Sequence, residues 1–402
     1  MLSKTFCRSL KSYTVLKPFV DFEARLSKIS DIKSNIQRRK LNVNVDEIVG
    51  FHSNLMKLED VKIRLEESRE NVRNRLSRMQ HLSDDSDEKR KLKISAKMIR
   101  EDYKQIKSSV SDLEQNLIEL VMSIPNDLHP KTGDVDEVVH EFGNPVTEAE
   151  CHLGIGKREG VLEYRSHWGC FLLGEAAVFE LKSVADLSKR LKNSGFVGFS
   201  NPDFSKEIVV DGSQGVYSSV LPLSKFEDDQ DTTFISGGAS LLPFCSYFAK
   251  SVIQEKDLPL KCYSTGRQYS HVRHPGIGLY DAPQTNACQI FVLTSPSAQD
   301  DELPKIISLL TRFYESFGIH FRVVVKSAEN LFPAESLRVS FELYSPHFGK
   351  FFECGHISMY GTVLSKNMNI HCGENDFVGI MSGTVFRVAP LLACVLETKN
   401  SL

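Results

Sequence analysis

Apolar residues recur between positions 48 and 121 with the alternating four- and three-residue steps of a coiled coil. In the second half of this stretch they stand at Leu92, Ala96, Ile99, Tyr103, Ile106, Val110, Leu113, Leu117 and Leu120. In the first half they stand at Phe51, Leu55, Leu58, Leu65, Val72, Leu76 and Met79. The polar segment His81–Glu88 between them is rich in turn-forming residues. The pattern predicts an antiparallel helical hairpin, an arm about 45 Å long at 1.5 Å per residue.

Proline and glycine are dense after this stretch, in Ile124-Pro125-Asn126, His129-Pro130 and Gly143-Asn144-Pro145. Such a density indicates a connector and places a domain boundary near residue 145. We therefore divide the chain into an N-terminal segment (1–20), an N-terminal domain with the arm (21–123), a connector (124–145) and a C-terminal domain (146–402).

Short strand-like and helix-like runs alternate irregularly in the C-terminal domain. Strands are predicted over Glu207–Val210, Tyr217–Leu221, Leu260–Tyr263, Cys288–Leu293, His320–Val325, Arg338–Leu343 and Phe351–Ile357. Helices are predicted over Leu172–Leu191, Asp300–Phe317 and Thr384–Leu396, with Pro390 kinking the last or shifting its start. The short connections favour an antiparallel sheet flanked by helices, so the fold class is α+β.

The first 20 residues are basic, with Lys4, Arg8, Lys11 and Lys17 and no acid before Asp21. This composition is typical of a mitochondrial transit peptide, and a disordered basic terminus is the alternative. The nine cysteines include no CxxC pair, which predicts reduced thiols in a protein that is not secreted. Because no apolar run reaches 18 residues, we expect no membrane span.

Charge is spread unevenly along the chain. Residues 1–122 hold 25 Lys and Arg against 19 Asp and Glu, a net charge of +6, while the remainder holds 24 against 33, a net charge of −9. Cations concentrate on the arm near its tip and along its second helix, and we predict that they bind nucleic acid. These residues are Arg73, Arg75, Arg78, Lys89, Arg90, Lys91, Lys93, Lys97, Arg100 and Lys104.

Part of this charge has a simpler explanation within the hairpin. Antiparallel pairing would set Arg100 near Glu70 and Lys104 near Glu66. The arm cations would then form a solvated, salt-bridged helix face. Cys354, His356, His371 and Cys372 are the residue types that bind zinc. Cys354 and His356 would share one strand face, but the other two residues would point to opposite faces, so we expect no metal.

The order of the parts resembles seryl-tRNA synthetase over nearly the full length of the chain. A two-helix arm precedes Ile124-Pro125-Asn126 and Glu141-Phe142-Gly143-Asn144-Pro145, and an antiparallel α/β body follows. Pro202 stands where the family's dimer-forming first motif has its proline. Further matches to the catalytic domain are His167-Trp168, Leu173-Gly174-Glu175, Glu342, Pro346 and Phe352-Glu353.

The resemblance ends at the residues that carry out the chemistry. The family's serine pocket uses Thr-Ala-Glu, where this chain has Gly238-Ala239-Ser240. In the second motif, the arginine and glutamate that bind ATP correspond to Ser264 and Gly266. The final Gly-Arg of the third motif corresponds to Ala389-Pro390. The positions that survive include Gln284, Glu353, Gly383 and Glu397. Since an arginine on a transferring phosphoryl group is worth about 10³–10⁵ in rate, we expect no amino-acid activation, no catalytic residues and no cofactor.

A stripped site behind a predicted transit peptide makes the chain similar to the seryl-tRNA synthetase-like proteins of insect mitochondria. The resemblance implies a mitochondrial matrix protein that binds RNA, with a mitochondrial serine tRNA as the first candidate. It also implies a dimer through the Pro202 region, either with a second copy or with the catalytic mitochondrial seryl-tRNA synthetase. Two alternatives remain, an enzyme with repurposed chemistry on the old scaffold and a coiled-coil scaffold that recruits proteins.

Overall fold

The structure is a computed structural model, and it describes residues 19, 25–79, 87–214, 220–223, 232–271, 274–373 and 376–402. The predicted transit peptide lies outside the described residues, apart from Phe19. Of the predicted turn His81–Glu88, only the last two residues are described, and they already belong to a helix. The described residues form two compact units, residues 25–125 and residues 126–402 together with Phe19.

The first unit is helical. Its helices are α1 (Ile29–Arg38), α2 (Val45–Arg78) and α3 (Asp87–Met122). Helix α2 begins at Asn44, whose side chain accepts a hydrogen bond from the Glu47 amide at 3.3 Å. Helices α2 and α3 form the predicted arm, and the 34 residues of α2 span about 51 Å. The seam residues are buried or half-buried while most of their neighbours are exposed, as the heptad spacing requires.

The second unit mixes strands and helices. Its strands are β1 (Glu137–Phe142), β2 (Leu162–Ser166), β3 (Gly169–Leu172), β4 (Val197–Phe199), β5 (Phe204–Lys206), β6 (Leu221–Pro222), β7 (Thr233–Ile235), β8 (Val252–Ile253), β9 (Leu260–Tyr269), β10 (Gln284–Thr294), β11 (Phe321–Val325), β12 (Leu337–Ser345), β13 (Lys350–Gly361), β14 (His371–Cys372), β15 (Asp376–Phe377) and β16 (Gly379–Arg387). Its helices are α4 (His152–Arg158), α5 (Gly174–Asn193), α6 (Glu207–Gly212), α7 (Leu241–Phe248), α8 (Gln299–Glu315), α9 (Val363–Met368) and α10 (Val388–Lys399).

A large sheet organises this unit. In the described part of the chain it has eight strands in the order β1-β11-β12-β13-β16-β10-β9-β4, antiparallel except for the β4–β9 pair. Successive residues of β10 point into different hydrophobic cores. Ile290 packs with α5, α8 and α10, whereas Phe291 packs with α7 and α9. The predicted α+β class, with a helical arm and an antiparallel sheet flanked by helices, is confirmed.

Two local predictions are wrong. Glu207–Val210 was predicted as a strand and forms helix α6, because a four-residue apolar run does not distinguish the two states. The last helix begins at Val388 instead of Thr384, and the preceding residues complete β16. Pro390 thus lies in the first helical turn, where its missing N–H group requires no acceptor. The predicted strand Tyr217–Leu221 lies mostly outside the described residues.

The connector packs into the second unit. The Asn126 amide donates to the carbonyl oxygens of Ala334 and Tyr360, both at 2.9 Å. Further along, β1 pairs with β11 at one edge of the large sheet. The Asp136 carboxylate accepts hydrogen bonds from the Ser327 amide at 2.8 Å and the Asn330 side chain at 3.0 Å. A search of the described helices finds none that is both long and apolar enough to cross a membrane.

Candidate functional site

A cavity of about 290 Å³ opens on the large sheet between β9, β13 and β16, and we refer to it as the first cavity. Its lining includes Gln268 from β9, Glu353 and His356 from β13, and Arg387 from β16. Glu353 is the position that the resemblance assigns to the amino-acid pocket. The first cavity thus contains the residue that the resemblance places in the family's amino-acid pocket.

A β-bulge sets the direction of the acidic group in this cavity. Phe341 lies opposite Gly355 and Glu342 lies opposite Glu353, so Cys354 is the extra residue on β13. The bulge brings Glu353 and His356 to the same side, and it separates Cys354 from His356. The Cys354 thiol instead donates to the Arg387 carbonyl oxygen at 3.2 Å. The predicted shared face of Cys354 and His356 is therefore wrong.

Arg338 neutralises the floor of the first cavity. Its Nη2 atom donates to both oxygens of Glu353, at 2.7 and 2.9 Å, and its Nη1 atom lies 3.3 Å from the buried Glu335 carboxylate. Burial alone would raise the pKa of Glu353, but Arg338 and His356 outweigh it and hold that pKa well below its usual range. Burial and the adjacent Arg338 lower the pKa of His356, which favours the neutral imidazole.

Arg387 adds a second cation, but the main chain already engages it. Its Nη2 atom donates to the Glu353 carbonyl oxygen, and its Nε atom lies 3.5 Å from the Cys354 carbonyl oxygen. Together, Arg338, Arg387, Glu335 and Glu353 place two positive and two negative charges around the cavity floor. This arrangement offers little net positive charge to a triphosphate.

The remaining predicted pocket residues lie in the loop before α7, which contains Gly238 and Ser240, and on the neighbouring strand β9, which contains Ser264 and Gly266. Ser264 is 1 % exposed, and its hydroxyl donates to the Gly238 carbonyl oxygen at 2.8 Å. The Ser240 hydroxyl donates to the Gly237 carbonyl oxygen at 2.7 Å. Gly266 lies on β9 beside this loop, where an added Cβ would come within 3.9 Å of the Ala239 amide. The Ser240 and Ser264 hydroxyls are thus bonded to carbonyl oxygens of the loop and are not directed at a ligand.

Gln284 and Pro390 do not line the first cavity. Gln284 begins β10 and is exposed, whereas Pro390 is buried in the first turn of α10. Thr285, the residue after Gln284, donates no side-chain bond into the cavity but accepts one from the Ala389 amide at 3.0 Å. The structure therefore separates residues that the resemblance assigned to a single pocket.

A buried network beside the first cavity contains His152, a residue that sequence reasoning missed. His152 Nδ1 lies 2.7 Å from Glu397 Oε1, and its Nε2 accepts a hydrogen bond from the Leu279 amide at 3.1 Å. Glu397 Oε2 accepts from Tyr280 at 3.0 Å and from Ser345 at 2.5 Å. Burial would raise the pKa of Glu397, but the hydrogen bonds from His152 and Ser345 outweigh it and lower that pKa. The network fastens α10 to α4, and Glu397 was the only member that the resemblance had singled out.

Metal-ligating residues come together only beside this network, within the described part of the chain. Cys151, His152 and Glu397 place one potential ligand atom each within 4.8 Å of one another. The His152 and Glu397 atoms already have hydrogen-bond partners, so the group serves the network. His371 and Cys372 lie on β14, which pairs with β8 and β15, away from Cys354 and His356.

The arm presents its predicted cations to solvent. Nine of the ten are exposed, and Lys89 is half-buried. Arg75 pairs with Glu88 at 3.5 Å. Among the described residues, the cations without a hydrogen-bond or ion-pair partner are Arg73, Arg78, Lys91, Lys97, Arg100 and Lys104.

The predicted pairing across the hairpin is wrong. Glu66 accepts a hydrogen bond from the Tyr103 hydroxyl at 2.5 Å, and the Arg69 guanidinium lies 5.4 Å from the centroid of the Tyr103 ring. Tyr103, a seam residue, is thus bonded to Glu66, the carboxylate with which Lys104 was predicted to pair. Arg100 and Lys104 are thereby left to face water.

Pro202 is exposed in the loop between β4 and β5. The neighbouring Asp203 accepts a hydrogen bond from the Gly238 amide at 2.7 Å, and the Asn201 amide donates to the Gly238 carbonyl oxygen at 3.2 Å. The loop with the predicted dimer proline is thus bonded to the loop before α7. Phe204, which follows it, is also exposed.

Comparisons with known proteins agree with this architecture. Residues 225–399 match the tRNA synthetase class II core domain (G, H, P, S and T). The chain is 26 % identical to the serine–tRNA synthetase-like protein Slimp of Drosophila melanogaster, over 96 % of this chain and 86 % of that protein. It is 20 % identical to the mitochondrial serine–tRNA ligase of Saccharomyces cerevisiae, over 99 % of this chain and 94 % of that protein.

The fold is also that of a solved structure. The crystal structure of seryl-tRNA synthetase from Pyrococcus horikoshii complexed with ATP superimposes with a TM-score of 0.83 at 17 % identity, covering 94 % of each chain. The predicted resemblance to seryl-tRNA synthetase-like proteins and the predicted fold are confirmed.

Proposed function

We propose that this chain, a seryl-tRNA synthetase-like protein with a class II synthetase core domain, is a non-catalytic paralogue that binds RNA through its arm. It pairs with a synthetase-like subunit and supports or regulates translation in the mitochondrial matrix. The observation that carries the RNA-binding part is the exposed row of arm cations that have no partner among the described residues.

The charge of the first cavity supports a non-catalytic role. Activation of an amino acid builds negative charge on the α-phosphate, and preorganised cations must meet it. At the position aligned with the family's motif-two arginine, Ser264 is buried and bonded to the Gly238 carbonyl oxygen. Arg338 and Arg387 are committed to Glu353, Glu335 and the main chain. No described cation in the cavity is left to stabilise the transition state.

Serine-dependent exchange of pyrophosphate into ATP directly tests the proposed absence of amino-acid activation. We expect the purified chain to show no exchange above background, while a catalytic mitochondrial seryl-tRNA synthetase in the same assay does. Exchange that depends on serine, and that disappears in Arg387→Gln, would mean that the site has been rebuilt. The repurposed-enzyme alternative predicts instead that exchange is absent and that another reaction is found.

RNA binding is tested by reversing the charge of three exposed cations on the second helix of the arm, and we refer to Lys97, Arg100 and Lys104 as the stripe. The variant Lys97→Glu/Arg100→Glu/Lys104→Glu should bind a mitochondrial serine tRNA at least about tenfold more weakly, because each phosphate contact releases counterions. The slope of log affinity against log salt should also fall by about 2 to 3. The matched control Lys28→Glu/Lys57→Glu/Arg64→Glu changes exposed cations of the same unit by the same amount.

Unchanged tRNA affinity in the stripe variant, or an equal loss in the control, contradicts binding through the stripe. If protein partners are retained while no RNA binds either variant, the coiled-coil scaffold becomes the better description. Crosslinking of the full chain to mitochondrial RNA provides an independent readout.

Pairing follows from the family's dimer motif and from the exposed loop at Pro202. Native mass measurements on this chain mixed with the mitochondrial seryl-tRNA synthetase distinguish a heterodimer from two separate homodimers.

The mitochondrial location is supported by the yeast relative, whose name states it. Import of the full chain into isolated mitochondria, compared with a chain lacking residues 1–20, tests the location.

A further inference from the structure

A second cavity, of about 320 Å³, adjoins the first, and Ala282 and Thr285 line both. Adjacent residues of β9 point to opposite sides: Gln268 lines the first cavity and bonds to Thr384 at 2.7 Å, whereas Arg267 lines the second. The second cavity is enclosed by the β2–β3 hairpin, the start of α5 and the start of α10. Within its lining, the resemblance counted Gln284 among the surviving positions and matched His167-Trp168 to the catalytic domain, but it assigned no ligand to this cavity.

The walls of the second cavity are amphipathic. Its apolar lining includes Leu172, Leu173, Leu279, Ala282 and Ala389. Its polar and aromatic lining includes His167, Trp168, Glu180, Arg267, Gln284 and Thr285. An apolar lining with a few convergent polar groups is the usual composition of a small-molecule site, and the volume is at the lower end of such sites.

Three polar groups of this cavity have no partner among the described residues. Across the described residues, the Arg267 guanidinium has no ion pair, and neither the Gln284 amide nor the Trp168 indole has a hydrogen bond. Trp168 is 60 % exposed at the tip of the β2–β3 hairpin, and its ring centroid lies 5.2 Å from that of His167. The exposed ring offers a stacking surface to a planar ligand.

Glu180 adds a directional acceptor. Its Oε1 atom accepts a hydrogen bond from Asn286 at 2.6 Å, and Asn286 lies opposite Arg267 in the β9–β10 pair. Asn286 thus fixes the carboxylate, and its second oxygen has no partner among the described residues. The cavity therefore combines one anionic acceptor, one cation and one stacking surface.

We propose that the second cavity binds a nucleotide whose base carries an exocyclic amine, adenine or cytosine. The base stacks on Trp168, its amine donates to Glu180, and its phosphate pairs with Arg267. A free mononucleotide and a nucleotide within single-stranded RNA offer the same groups. The inference goes beyond the proposed function, since it concerns the second unit and does not require the arm.

The sequence supplies its own probe, because Trp168 is the only tryptophan of the chain. Stacking of a base on its ring quenches indole fluorescence, so the full chain can be titrated directly with AMP, CMP and UMP. We expect saturable quenching by AMP or CMP, and at least about fivefold weaker binding of UMP, which lacks the amine. A short single-stranded RNA of the preferred base forms the second arm of the titration.

Two substitutions assign the contacts. Arg267→Gln should weaken the binding of the preferred mononucleotide about tenfold, since one charge-assisted hydrogen bond is lost. The matched control Lys182→Gln removes an exposed cation from the same helix as Glu180, outside the cavity, and should leave affinity unchanged. Glu180→Gln should abolish the preference for AMP or CMP over UMP.

Several outcomes would overturn the proposal. They are the absence of quenching by every nucleotide and by the RNA up to millimolar concentration, equal affinity in Arg267→Gln and the parent, and a shift from dimer to monomer in Trp168→Ala, which would make the ring an interface residue. Quenching by RNA alone assigns the site to a strand, and quenching by mononucleotide assigns it to a free nucleotide. Because the arm variant Lys97→Glu/Arg100→Glu/Lys104→Glu retains the second cavity, its response to AMP separates this proposal from RNA binding by the arm.

Discussion

At the scale of single residues, Arg338 decides the character of the first cavity. It stands between Glu335, which is 1 % exposed, and Glu353. Each carboxylate would be costly to bury alone, and the guanidinium satisfies both with planar, directed hydrogen bonds. Sequence analysis singled out Glu353 through the resemblance but not its partner, because nothing local to Arg338 shows which strands will lie beside it.

Replacement of this cation should be far more costly than replacement of a surface cation. Arg338→Met leaves two acids without their partner, and we expect a loss of roughly 3–5 kcal/mol in the free energy of unfolding. The control Arg165→Met removes an exposed ion pair with Glu163 and should cost less than about 1 kcal/mol. Urea unfolding of both variants checks this, and similar losses would contradict the central role of Arg338.

At the scale of elements, the arm is stabilised by a narrow seam. Leu117 is 0 % exposed, whereas Ile94 on the same helix is 61 % exposed. The heptad spacing predicted this difference because it depends only on the helical period. The cross-hairpin ion pairs were predicted incorrectly because the seam tyrosine, Tyr103, reaches Glu66.

The seam can be tested with one matched pair of substitutions. Leu117→Ala should lower the free energy of unfolding of the arm by roughly 2–4 kcal/mol, since it opens a cavity in a thin core. Ile94→Ala should change it by less than about 0.5 kcal/mol. Loss of helical circular dichroism in urea is the measurement, and equal effects at the two positions would exclude the seam described here.

In the connector, the Asp136 carboxylate makes the free energy of unfolding depend on pH. Burial would raise the pKa of Asp136, but hydrogen bonds from Lys326, Ser327 and Asn330 outweigh it and lower the pKa from its ordinary 3.8 to about 2. Since the folded-state pKa lies below the unfolded one, this stabilisation is present above pH 3.8 and is lost as the pH falls towards 2.

Asp136→Asn should therefore destabilise the protein in a pH-dependent way. We expect a loss of roughly 1–2 kcal/mol at neutral pH, allowing for solvent screening at this partly exposed site. The difference from the parent should shrink as the pH is lowered from about 4 to about 2. The exposed neighbour serves as control, and Glu137→Gln should show no such trend in thermal unfolding. A constant difference across this range would assign the effect to packing.

At the scale of the whole molecule, the large sheet ends in two edge strands of different character. Strand β4 stands at one end, followed by the loop with Pro202 and by the exposed Phe204, and β1 stands at the other end. A short edge strand beside exposed apolar side chains is suited to an interface. The family's dimer motif also points to the β4 end.

A single charge at each edge tests which end carries the interface. Phe204→Asp should shift the chain from dimer to monomer, because an interface cannot bury an unpaired carboxylate without cost. Val139→Asp places the same charge on the exposed face of β1 and should leave the mass unchanged. Sedimentation of both variants gives the answer, and a monomeric parent would remove the homodimer from consideration.

The sequence by itself determined the features that depend on local period and composition. These are the heptads of the arm, most strands of the large sheet, and the order of parts that resembles seryl-tRNA synthetase. Only the tertiary structure decided features that depend on which strands become neighbours. The bulge at Cys354 turns Glu353 and His356 to one side, Arg338 joins Glu335 to Glu353 on the neighbouring strand, and His152 meets Glu397 across 245 positions. Pairing register and burial cannot be read from spacing along one chain, because each is fixed by the partner strand or helix that packs against it.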